Sequence, residues 1–80
     1  MAAKEDLKEW IVECLKQRGG SASLTDVSWH VWNNHQQALK ESGDLFVTWQ
    51  YVLRWAALEL RKEGRLRAAE ISPKGIWELA

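Results

Sequence analysis

Apolar side chains recur along the start of the chain at helical spacing. Leu7, Trp10, Ile11, Cys14 and Leu15 fall at i, i+3, i+4, i+7 and i+8, the stripe of an amphipathic helix from about Lys4 to Arg18. Gly19-Gly20 ends it, with Gly19 free to take the left-handed conformation just past a helix terminus. Ser21-Ala22-Ser23 reads as a one-bridge strand able to pair with a later hairpin. Ser23-Leu24-Thr25-Asp26 fits the S/T-x-x-D/E capping pattern, so a second helix starts near Thr25. On its wheel Leu24, Val27, Val31, Ala38 and Leu39 share one broad face, Trp32 sits at the edge, and Trp29 lies well outside. This helix runs to about Lys40, either unbroken or interrupted near Asn33-Asn34, because asparagine is a poor helix-interior residue.

Ser42-Gly43-Asp44 reads as a turn, Leu45 and Phe46 as apolar anchors, and Thr48 as the N-cap of a third helix that reaches Glu63. Trp49, Val52, Leu53, Ala56 and Leu60 form its core stripe. Tyr51, Arg54, Trp55, Leu58 and Lys62 lie opposite, flanked by Gln50 and Arg61. Beyond Gly64, Arg65–Ile71 and Gly75–Leu79 read as two strands around Ser72-Pro73-Lys74-Gly75, where proline followed by glycine is turn chemistry. Trp77 and Leu79 share one face of the second strand. The order is helix, short strand, helix, helix, strand, strand. That predicts an α+β fold of winged helix-turn-helix topology, a three-helix core with a C-terminal two-stranded β-hairpin.

Eighty residues allow one domain, 1–80, with a single modest core, and six tryptophans can supply much of that core's area. Cys14 is the lone cysteine, which excludes an internal disulfide and suits a reducing compartment. No apolar run approaches the ~18–20 residues that span a bilayer. A cytoplasmic protein without a membrane partner is therefore expected. Net charge is zero but unevenly spread. Residues 1–53 carry five cations against seven acids, a balance of −2, and residues 54–80 carry six against four, a balance of +2.

The segment GDLFVTWQYVLRWAALELRKEGRL, closed by SPKGIWEL, resembles the winged-helix domains at the N-termini of Mrr-type restriction endonucleases and their relatives. Residues 43–79 carry the likeness, and the first two helices share only the pattern. The resemblance implies binding to double-stranded DNA, as a small transcription regulator or accessory protein. This chain has no second domain matching the larger family members, so nuclease activity is not carried over. On this basis the third helix would enter the major groove. Thr48, Gln50, Tyr51, Arg54, Leu58 and Arg61 would lie near the duplex, with Arg65, Arg67 and Lys74 on the hairpin. Glutamine can pair bidentately with adenine and arginine with guanine, while hydroxyls donate to phosphates.

Trp29, Trp55 and Leu58 fall outside the core stripes and suggest an alternative, a protein-interaction or homodimer surface. Enzyme chemistry is not expected. His30 and His35 are five apart and miss the i, i+4 spacing of a shared face. No H-E-x-x-H, C-x-x-C or phosphate loop occurs, so neither a metal nor a cofactor is expected. Cys14, inside an apolar stripe, reads as a small core residue rather than a nucleophile.

Overall fold

The computed structural model describes residues 3–80. Its order is α1 (Lys4–Gln17), β1 (Ser21–Ser23), α2 (Leu24–Lys40), α3 (Asp44–Lys62) and β2 (Ile76–Glu78). It is an α+β domain of three helices and a small antiparallel sheet. No helix among the described residues is long and apolar enough to cross a membrane.

Each helix is delimited by local chemistry. Asp6 reaches back to the Ala3 amide at 2.9 Å and opens α1. At the other end Gly19 takes φ +79°, and the Gly20 amide donates to the Leu15 carbonyl at 2.7 Å. This satisfies a carbonyl that the helix leaves orphaned. Ser23 caps α2 by accepting from the Asp26 amide at 3.1 Å, as its motif predicts. Of the two alternatives for α2, unbroken or interrupted near Asn33-Asn34, the helix reaches Lys40 with a kink: His35 has φ −128°, ψ 19° inside it. Asn34 supplies the cause. Its side-chain amide donates to the His30 carbonyl at 2.8 Å and competes with the backbone ladder.

The start of α3 differs from the sequence expectation. Gly43, at φ 59°, ψ −123°, launches the helix at Asp44, a full turn before Thr48. Residues bearing a Cβ are essentially barred from that region. Thr48 is thus not an N-cap; it lies within the helix and its hydroxyl donates to the Asp44 carbonyl at 3.1 Å. Leu45 joins the core as anticipated, whereas Phe46 is 42% exposed.

α3 is the central helix. Leu45, Trp49, Val52, Leu53, Ala56, Ala57 and Leu60 are buried along it, facing Leu7, Ile11 and Leu15 of α1 and Val27, Val31 and Leu39 of α2. Cys14 is fully enclosed in this core, and burial pushes its thiol pKa up, so it behaves as a small apolar residue.

The sheet has two strands, and the residue after β2 makes one further bridge. β2 pairs with β1 in the register Ser21–Glu78, Ala22–Trp77 and Ser23–Ile76. The further bridge joins Leu79 to Leu66 in the segment after α3, with the Arg67 amide donating to Glu78 at 2.9 Å. The strand expected over Arg65–Ile71 shrinks to this contact. Ala68-Ala69-Glu70 lacks the β-branched and aromatic side chains that favour a pleated ladder. Instead Ile71 and Ser72 donate back to the Ala68 carbonyl, folding the segment into turns. Trp77, Ala22 and Leu66 are buried and seal the sheet to the helices.

Candidate functional site

A trough runs between α2 and the first half of α3. Ser28, Trp29, Trp32, Phe46, Trp49 and Gln50 line one end, a volume of about 350 Å³. Leu24, Thr25, Ser28, Trp29, Gln50, Tyr51 and Arg54 line the other, about 550 Å³. Trp29, Ser28 and Gln50 belong to both, so the two ends are continuous. Trp32 stacks on Trp49 with centroids 6.1 Å apart and lies 6.5 Å from Phe46, which forms a firm aromatic floor.

The predicted contact residues separate into two groups. Gln50, Tyr51 and Arg54 come together on the trough edge, exposed and without a side-chain partner among the described residues. Lys74 belongs to the same end of the molecule. Its neighbour Gly75 accepts from the Leu24 amide at 3.2 Å, which ties the 73–75 turn to the start of α2. Arg67 is exposed and its guanidinium is likewise unpaired among the described residues. Thr48 is exposed one turn up the helix, and Leu58 is half exposed further down.

Arg61 and Arg65 are committed elsewhere. Arg61 Nε donates to the Arg67 carbonyl at 3.2 Å and pins the end of α3 to the sheet. Arg65 forks onto Glu9 of α1 at 2.8 and 3.1 Å, and this holds the Glu9 carboxyl below its ordinary range. Lys8 pairs with Glu63 alongside it. These ties fasten α1 to the end of α3, so Arg65 does not face the trough.

The expected partner surface of Trp29, Trp55 and Leu58 is also divided. Trp29 is 60% exposed over the trough. Trp55 packs half buried against the core, with the Lys4 ammonium 5.8 Å from its ring centroid. It belongs to the seam between α1 and α3. Phe46, which lines the trough, and Val47 are exposed on α3 instead, an outcome of the helix starting early.

A second cluster was hidden from the sequence. On a regular helix His30 and His35 point about 140° apart, but the bend at His35 closes that angle. Nε2 of each ring lies 2.8 Å from the same oxygen of Glu13 on α1. A carboxylate can only accept, so both Nε2 atoms carry their proton. The hydrogen bonds from His35 and then His30 hold the Glu13 carboxyl below its ordinary range, against the opposing effect of burial. Trp10 stacks on His35 at 4.0 Å, nearly parallel. The Asn33-Asn34 break signal was legible; what it brought together was not.

Comparison with protein-family models, with curated proteins and with solved structures yields no match for this chain.

Proposed function

We propose that the chain is a winged-helix protein that binds double-stranded DNA through α3 and the turn bearing Lys74, as a transcription regulator or accessory factor. The observation that carries this is the row Gln50, Tyr51 and Arg54, exposed and unpaired on one edge of α3 beside the start of α2. A last strand that pairs with β1, next to a single bridge from Leu79 to Leu66 after α3, supports the same reading. Gln50 and Arg54 have the donor geometry to read base edges. Tyr51 and Thr48 can reach phosphates, and Arg67 and Lys74 neutralise backbone charge.

Three unpaired cations set the expected salt response. Arg54, Arg67 and Lys74 together give a slope of log K against log salt of about −2.7, which is roughly a 40-fold loss of affinity between ~50 and ~200 mM salt. Anisotropy titration of a labelled duplex measures it. The double reversal Arg54→Glu, Lys74→Glu should abolish most of that slope and weaken binding at low salt. Equal affinity of wild type and variant at both salt concentrations would remove the proposal.

The aromatic trough favours a second reading, in which Trp29 and Phe46 seat a second copy of the chain. Large exposed apolar side chains gathered on one face commonly mark a protein contact, and tryptophan is prominent among interface anchors. Sedimentation equilibrium over a wide concentration range is expected to show a dimer that Trp29→Ser dissociates. A monomer throughout eliminates this version without touching the DNA proposal.

A further inference from the structure

Three side chains able to ligate a metal converge where α1 crosses the bend of α2. The relevant oxygen of Glu13 and one nitrogen each of His30 and His35 all lie within 4.8 Å of one another. A tie between the two helices needs only one imidazole. Here α2 abandons helical dihedrals at His35, and both rings are aimed at a single oxygen. The side chains of His30 and His35 are 9% and 21% exposed and that of Glu13 is 40% exposed. The nitrogens are thus held in a sheltered wall while the carboxylate side opens to solvent.

We propose that Glu13, His30 and His35 bind one zinc ion. Two imidazole nitrogens and one carboxylate oxygen are borderline donors suited to zinc, and three protein ligands leave a fourth, open position for water. Zinc bonds of 2.0–2.2 Å in tetrahedral geometry place neighbouring donors about 3.3 Å apart. Each histidine–glutamate pair at 2.8 Å has to open by only about half an ångström to admit the ion. Each imidazole would offer its Nε2 lone pair to the ion and keep its ring proton on Nδ1, the Nε2 proton passing to Nδ1 or to solvent. The Trp10 stack fixes the plane of the His35 ring. Cys14 follows Glu13 in sequence but is enclosed in the core, so no sulfur enters the ligand set.

Zinc added to metal-stripped protein, in competition with a chromophoric chelator, should bind one ion per chain. Cobalt in its place should give the visible bands of a tetrahedral nitrogen–oxygen site without thiolate charge transfer. His30→Ala, His35→Ala and Glu13→Gln, each checked for native circular dichroism, should each weaken zinc by at least ~10-fold. Because a variant can lose its fold, the thermal midpoint of the wild type is also read, and zinc should raise it by mass action. The proposal fails if wild-type protein neither binds zinc nor gains thermal stability from it. It fails equally if a folded His30→Ala, His35→Ala double variant binds zinc as tightly as wild type, or if cobalt reports a thiolate.

Discussion

Leu53→Ala is expected to destabilise the domain by about 2–5 kcal/mol, the range for truncating a buried leucine in a core that relaxes only partly. Leu53 has no exposed surface and lies midway along α3, the helix against which α1 and α2 both pack. A cavity there is lined from several directions and cannot collapse by shifting one neighbour. Eighty residues at ordinary stability give roughly 4–12 kcal/mol in total, so the variant would lose a large share of it. In a domain of this size each kcal/mol moves the midpoint by ~4–8 °C. Thermal unfolding followed by far-ultraviolet dichroism measures the shift. Val47→Ala, on the same helix but 82% exposed, should stay within ~0.5 kcal/mol of wild type. Were the two variants equally stable, α3 would not be the central helix.

Trp77→Ala is the other large effect, about 3–5 kcal/mol by the range for buried aromatics. Trp77 is 7% exposed and stands on β2 opposite Ala22, so its side chain is the main apolar body joining sheet to helices. A sheet with so few ladder bonds has little stability of its own and depends on such packing. Trp77→Phe should recover more than half of the loss, because most of the buried area returns. Urea denaturation of the three proteins, with equal slopes, tests this. A Trp77→Ala variant within 1 kcal/mol of wild type would mean that the ribbon is held by its backbone alone.

The helical stripes were legible because burial follows a 3.6-residue period that the residues display directly. Leu7, Ile11, Cys14 and Leu15 on α1, and Trp49, Val52, Leu53, Ala56 and Leu60 on α3, are buried as their spacing predicts. Trp29 is exposed, as its position outside the α2 stripe implies. Leu45 also stood in register with Trp49 and Val52, four and seven residues before them. The polar Ser42-Gly43-Asp44 run masked this, because the conformation of Gly43 that starts the helix there leaves no mark in composition. The first strand of the expected hairpin, Arg65–Ile71, is over-read: Ala68-Ala69-Glu70 carries no β-branched or aromatic side chain to favour a ladder.

The candidate sites were less legible, for a physical reason. Exposure of Gln50, Tyr51 and Arg54 follows from one helix wheel. Pairing of Arg65 with Glu9, or of two histidines with Glu13, depends on how α1 lies against distant segments, and no local period encodes that. The unpaired cationic surface is therefore smaller than the count of basic residues from Arg54 onward suggests.

The sheet's register has a kinetic consequence. Ser21 and Glu78 face each other with most of the sequence between them, so no local hairpin can nucleate this ribbon. Its closure has to overcome a long loop's entropy before any ladder bond repays it. The helices form through near neighbours and collapse first, drawing the two distant segments within reach. Strand docking is then expected as a late event on the route to the native state, after the helices have packed.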